Sequence, residues 1–348
     1  MSDALRAPAT PWLSILVPVY NVQDYLEECL ASVVEQLQQL PDGGAGVEVL
    51  VLDDCSTDGS RALMDRLAQR WPGRLTLMHH AVNQGQSAAR NTMIDAARGE
   101  YLWFLDSDDK LLPGALAQLF AIVQQHVPDV VLCDFRVLRN NSSFKHRLRG
   151  EMHQRTFDGP AGVLLHDCCA LLQGLLVVGR LHPWSKISRS ALWGDDLRFP
   201  VGRCFEDMAA VPLMALRARS FFYQAQPWVA YRQHAGSVLA TMNLIKVQDQ
   251  VAALRPLREA LRGTPCESSA SLRLEMTHQC ARSLVGAVRF LQSVGLPAAQ
   301  CRVLVQRMCA DFDAASPLSA RQWVSTCLKR GWWLRAIKFL RAYRAPFL

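Results

Sequence analysis

The chain has 348 residues, half of them hydrophobic and a fifth charged, an ordinary globular composition that allows two domains or one domain with an extension. A net charge of +7 is moderate; it suits an anionic ligand or an acidic membrane surface, and with no nucleic-acid module beside it nucleic-acid binding is not expected. No apolar run reaches the roughly 18 residues of a spanning helix, and the start MSDALRAPATPW lacks the basic-then-apolar order of a signal peptide.

In chain order, LSILVPVY from Leu13 predicts a strand and DYLEECLASVVEQLQQL from Asp24 a helix by its apolar spacing. VEVLVLDD is the next strand, and in STDGSRALMDRLAQRW a polar residue such as Asp58 caps a second helix. RLTLMHH and SAARNTMIDAAR repeat the alternation, with Asn83 and Gly85 shaping the loop between them and Gly85 suited to positive φ. YLWFLDSDDK then carries an apolar strand straight into carboxylates. A fourth helix follows from about Pro113, and DVVLCDF is a fifth strand. Residues 136–155 turn polar and basic, 160–231 mix short helices with aromatic strands, and from about Leu244 the pattern is all helical. The glycosylation sequons around Asn140–Ser143 are expected to be inert.

Strand-helix alternation with short links predicts an α/β fold, a mostly parallel sheet flanked by helices. Ligands of such sheets bind beyond the carboxyl ends of the strands. That rule gathers Pro18–Asn21, Asp53–Asp54 and Asp106–Asp109 on one rim. Three carboxylates within four positions repel one another unless a cation is normally present. Oxygen ligands of this kind suit Mg²⁺ or Mn²⁺, completed by water and phosphate oxygens. The eleven cysteines form no CxxC pair and are odd in number, so reduced core thiols of a cytosolic protein are expected.

SILVPVYN, VLDDCSTDGS, NQGQSAARN and GEYLWFLDSDD, in this order, resemble the inverting family-2 glycosyltransferases of GT-A fold. The likeness is close over residues 13 to about 125 and resumes more loosely at HPWSKISRSAL, FEDMAAVPLM and YRQHAGSV. It implies a Rossmann-like nucleotide-binding sheet and transfer of a sugar from a nucleotide-sugar, most often a UDP-sugar. Pro18, Tyr20 and Asn21 then fall at the nucleotide base, where Tyr20 either stacks on uracil or packs on the next helix. Asp54 matches the carboxylate that accepts from the base N–H, while Asp53 fixes the turn or touches ribose. Arg90 resembles the arginine that points at the nucleotide. Asp108 and Asp106 correspond to the D-x-D, Asp108 as direct metal ligand and Asp106 on ribose or a metal-bound water. Asp109 supports them or caps the following helix.

The resemblance also supplies a base for the acceptor hydroxyl: Asp207, with Glu206 beside it. Their other reading is complementarity to a helix N-terminus. Trp184 and Lys186 resemble the acceptor-side segment, and His234 and Ser237 the loop that closes over the diphosphate. The implied acceptor is a glycan or a lipid-linked glycan in cell-surface polysaccharide or lipopolysaccharide synthesis. The competing readings are an inactive scaffold of the same fold and a nucleotidyltransferase, against which the glycine-free Pro18–Asn21 stretch counts.

The expected organisation is a transferase domain over 1–240, with a donor-binding half at 13–135 and an acceptor half at 136–240, followed by a helical region over 241–348. In KRGWWLRAIKFLRAYR, Trp333, Ile337 and Leu340 fall on one helical side, and Arg335, Lys338 and Arg341 on another. That is the composition of an interfacial helix on an anionic membrane, or of a helix packed on its neighbours. The expected location is cytoplasmic, peripheral on the inner face of the membrane.

Overall fold

The computed structural model describes residues 10–139, 152–233 and 242–344, and divides the chain into two units. The first comprises the chain up to His166 with His182–Val201 and Ala218–Gln233. The second comprises Asp167–Leu181, Gly202–Arg217 and the chain from residue 234 on.

The first unit is built on one mixed sheet. Strands β1 (Leu13–Val19), β2 (Val47–Asp53), β3 (Thr76–His79) and β4 (Tyr101–Phe104) are parallel and lie in the order β3-β2-β1-β4. Helices α1 (Leu26–Leu37), α2 (Ser60–Arg70) and α3 (Gln86–Ala96) connect them, and α4 (Ala115–His126) follows β4. β1 and β4 are buried at every position, which is why their sequences run apolar instead of alternating. Beyond β4 come β8 (Lys186–Arg189), β6 (Val130–Leu138), β9 (Phe221–Arg232) and the two-residue β5 (Lys110–Leu111), with β7 (Leu164–Leu165) also paired to β9. β8 runs antiparallel to both β4 and β6, so the sheet is parallel over β3-β2-β1-β4 and mixed beyond it.

The amino edge of β1 is fixed by a buried carboxylate. Glu48 accepts from Ser14 Oγ at 2.5 Å, from Arg98 N at 2.6 Å and from the Arg98 guanidinium at 3.0 Å and 3.1 Å. Gly99 N donates to the same Ser14 hydroxyl. A Cβ at Gly99 would stand 2.5 Å from Ser14 N, so only glycine passes there. At the carboxyl edge the register aligns Val19 with Asp53 and Asp53 with His79.

The second unit is helical: α5 (Cys168–Val178), α6 (Glu206–Arg217), α7 (Leu244–Ala252), α8 (Arg255–Ala260), α9 (Ala270–Val294), α10 (Ala298–Ala315), α11 (Ala320–Lys329) and α12 (Trp333–Arg344). The 25-residue α9 is its axis, starting at a Ser269 cap and packing on α5, α7, α10 and α12. The division corrects a single boundary at residue 240. α5 packs on α9 and α6 packs on α5 and α8, so these two segments join the helical unit although they precede it in sequence. A second correction concerns the thiols. Cys169 and Cys266 form a disulfide between the start of α5 and the turn before α9, and the free Cys168 Sγ lies 3.7 Å from Cys266 Sγ.

Helix α12 buries Ala336, Phe339 and Ala342 and leaves Trp333, Leu334 and Ile337 at 61 %, 71 % and 46 % exposure. The side carrying Trp333 and Ile337 is therefore turned to solvent, with Leu340 half-buried, while Ala336, Phe339 and Ala342 form the packed side. None of the described helices is long and apolar enough to cross a membrane.

Candidate active site

The turns leaving β1 and β2 are stitched together by Asn21. Its side chain accepts from Thr57 N and Asp58 N and donates to Thr57 Oγ1, while its backbone N–H donates to Ser56 Oγ. Asn21 and Cys55 both hold positive φ, at 52° and 60°, a conformation that costs a side-chain-bearing residue energy. Asp58 accepts from Gln23 N and Ser60 N, so it ties the turn that enters α2, whose N-cap position is taken by Gly59 and not by a polar side chain. Pro18 lies inside β1, and Tyr20, 48 % exposed, presents a free aromatic ring beyond the end of that strand.

Asp53 and Asp54 are both buried, yet they differ in what is left to bind. Asp54 accepts from Gln84 N at 2.9 Å and Gly85 N at 2.7 Å, and His80 Nδ1 lies 2.6 Å from Oδ1. Its oxygens organise the loop before α3, where Gly85 sits at φ 85° and supplies the expected positive φ. Asp53 accepts from Ser56 N through Oδ1, while its buried Oδ2 has no hydrogen-bond partner among the described residues. His79 Nδ1 is 4.0 Å from that oxygen.

The carboxylates after β4 are held by two arginines. Arg90, 2 % exposed, donates to Asp106 Oδ1 at 2.8 Å, with its guanidinium 5.3 Å from the Phe199 ring centroid. It is thus a buried partner of the D-x-D and no solvated helix residue. Arg232 donates to the Asp108 backbone oxygen through Nε, and its N–H donates to Asp109 Oδ1 at 2.7 Å. The same guanidinium pairs with Glu28 and lies over the Tyr25 ring. β5 pairs with β9 immediately after this turn, fixing the acidic loop on both sides. Asp109 is almost fully buried, and its Oδ2 lacks a partner among the described residues. Burial, and then Asp108 and Asp106, hold its carboxyl well above the usual carboxylate range. These crowded oxygen donors with an unsatisfied buried oxygen beside them fit a hard divalent cation.

Trp184 and Lys186 are core residues. Trp184 stacks with His182 at 4.9 Å, and its backbone oxygen accepts from Trp103 Nε1. Lys186 is 1 % exposed and donates to His182 O and Ser185 Oγ. Glu206 and Asp207 open α6 in the second unit, where Asp207 Oδ1 accepts from Met208 N at 2.8 Å. Phe205, directly before them, holds φ 58°. The structure thus gathers Tyr20, Asp53, Arg90, Asp106, Asp108 and Asp109 around one end of the first unit's sheet and sets Glu206 and Asp207 on the second unit. His234 and Ser237 lie outside the described residues. His80 and Phe199 were not marked by any sequence pattern, and Arg232 lies in YRQHAGSV without having been singled out: each acts through a partner distant in the chain.

A β3-β2-β1-β4 parallel half-sheet with carboxylates beyond its strand ends, extended by antiparallel β8, is the GT-A architecture of nucleotide-sugar transferases. Residues 14–176, just under half of the chain, match the Glycosyl transferase family 2 profile. Glycosyltransferase GlyA of Streptococcus pneumoniae is 25 % identical over 228 residues, 65 % of this chain and 31 % of GlyA. The putative glycosyltransferase EpsH of Bacillus subtilis is 30 % identical over 234 residues, 66 % of this chain and 63 % of EpsH. The chain therefore spans less than two thirds of the length of both relatives. The crystal structure of S. aureus TarS 1-349 in complex with UDP-GlcNAc superposes over 95 % of this chain and 89 % of that one, with a TM-score of 0.71 at 21 % identity.

Proposed function

We propose that the protein transfers a sugar, with inversion, from a nucleotide-sugar to a hydroxyl of a glycan or lipid-linked acceptor in cell-surface polysaccharide or lipopolysaccharide synthesis. The donor is a UDP-sugar. The observation that carries the reading is the carboxylate turn Asp106–Asp109, anchored by Arg90 and Arg232 at the sheet's ligand-binding edge. Asp108, with Asp106, would hold Mn²⁺ or Mg²⁺, which when bound neutralises diphosphate charge and makes the nucleoside diphosphate a better leaving group.

Within the chain, Tyr20 offers a face to the base and Asp53 Oδ2 an acceptor for a base N–H or a ribose hydroxyl, while Asp54 holds the loop that carries Arg90. Arg90 orients Asp106. Asp207 accepts the proton of the acceptor hydroxyl as it attacks the anomeric carbon from the face opposite the diphosphate. Glu206 is the other candidate. The proposed location is the cytoplasmic face of the membrane, with the helical unit resting on anionic lipid; the exposed Trp333, Leu334 and Ile337 beside basic residues support it.

The test is a donor screen that follows nucleoside-diphosphate release with and without Mn²⁺, together with UDP calorimetry. UDP affinity is expected to fall at least about tenfold with EDTA or with Asp108→Asn. Equal affinity in all three conditions removes the metal from the proposal.

A further inference from the structure

The helical unit carries a cationic groove that the transfer reaction does not use. Two adjoining cavities, of about 260 Å³ and 380 Å³, are lined by residues of α9 and α12 and share Val285, Arg289 and Lys338. Five cations border them: Arg282 and Arg289 on α9, and Arg335, Lys338 and Arg341 on α12. Among the described residues, no carboxylate lines either cavity. Like charges facing one another across a groove disfavour the packed state unless an anion joins them.

A second observation points to the same ligand. Trp323 of α11 lines the first cavity and is 1 % exposed, yet its indole N–H has no acceptor among the described residues. A buried donor without a partner is costly, and a phosphate oxygen would satisfy it while neutralising the arginines. Two uncharged polar groups remain in the lining: Gln292, and His278, which stacks on Trp323 at 5.8 Å and already faces Glu275 at 3.6 Å.

The outward side of α12 selects among phosphates. Leu334, Lys338 and Arg341 are spaced i, i+4 and i+7, and Trp333 and Ile337 stand beside them, all exposed. A free phosphate would use the cations alone. A phosphate carrying acyl chains uses the cations and the apolar residues together. We propose that this groove binds the phosphodiester headgroup of an anionic phospholipid while Trp333, Leu334 and Ile337 enter the membrane interface next to it. The proposal rests on the membrane reading above and adds a discrete site to it.

Sedimentation of the full chain with phosphatidylglycerol-containing vesicles and with pure phosphatidylcholine vesicles tests both. Wild type is expected to bind the anionic vesicles, less so as salt rises, and to bind the neutral ones weakly. Arg289→Gln with Lys338→Gln should weaken anionic binding at least about tenfold, each charge near the surface contributing several-fold. Trp323→Phe removes the donor together with part of the buried ring, so it lowers the melting temperature; assayed well below that temperature, it should weaken binding of soluble dihexanoyl-phosphatidylglycerol several-fold. If wild type binds anionic vesicles and both variants match it, the discrete site is overturned and the membrane reading stands. If wild type binds neither vesicle, the membrane reading falls and the lipid site with it. If inorganic phosphate displaces the short-chain lipid at equal concentration, the occupant is a free anion and the lipid assignment is wrong.

Discussion

Asp53 and Asp54 adjoin in sequence and are both buried, but one carboxylate is consumed by the protein and the other keeps an oxygen in reserve. Asp54→Asn replaces one acceptor facing Gly85 N or Gln84 N by a donor, so it should destabilise the fold by about 1–3 kcal/mol. Thermal melting would show it. Asp53→Asn should leave melting nearly unchanged and weaken UDP binding about tenfold, because a donor would then face the ligand's donor. The opposite pattern would return the base contact to Asp54. Asp207→Asn should leave UDP affinity intact and lower transfer by about two orders of magnitude or more, the contribution of a positioned base. Turnover within a few-fold of wild type would move the role to Glu206.

Among the elements, the amino edge of β1 offers the clearest test of how packing is specified. Glu48 is 8 % exposed and collects donors from Ser14 and Arg98. Burial opposes its charged form, but the hydrogen bonds from Ser14 and Arg98 outweigh that and lower its pKa. A carboxylate with a lowered folded pKa stabilises fully above its unfolded pKa, and that contribution is lost as pH falls through the folded value. Glu48→Gln should therefore cost about 1–3 kcal/mol near neutral pH, and the gap to wild type in urea unfolding should shrink on acidification below about pH 4. A gap independent of pH would mean that packing, not charge, carries the effect. The strained residues form a second pattern. Of the four described side-chain-bearing residues at positive φ, Asn21, Cys55 and Phe205 lie next to Tyr20, Asp54 and Glu206, while Val127 ends α4 away from the carboxylates.

For the molecule as a whole, the Cys169–Cys266 link joins two points of the helical unit that are 97 residues apart in sequence, with segments of the first unit between them. Closing a loop of that length restricts the unfolded chain by about 4.7 kcal/mol in the chain-entropy description. Cys266→Ser, or dithiothreitol, should accordingly lower the unfolding midpoint of the native protein. Thiol counting under denaturing, non-reducing conditions should find nine free thiols, and eleven would show the bridge absent in solution. Because Cys168 Sγ is also close to Cys266, Cys169→Ser should retain a cross-link, detectable by non-reducing peptide mass spectrometry. Such a bridge is unusual in a reducing compartment, so the proposed cytoplasmic location rests on the nucleotide-sugar donor and not on the cysteines.

The amino-acid sequence alone determined the α/β class, because buried parallel strands write themselves as continuous apolar runs and amphipathic helices as a 3.6-residue period. It also placed the D-x-D, since strand ends of such sheets are where ligands bind and the four ordered motifs are local in the chain. It did not assign α5 and α6 to the helical unit: that depends on which partner each apolar face meets, and both faces look alike in one dimension. Nor did it separate Asp53 from Asp54, show Trp184 and Lys186 as core, or pair Cys169 with Cys266. Each of those facts is set by neighbours tens of residues away. The stripe of Trp333, Ile337 and Leu340 was legible as a stripe, but only the packing of Ala336, Phe339 and Ala342, with Phe339 against Phe312, decided that Trp333 and Ile337 face solvent, because two apolar sides of one helix compete for the same neighbours.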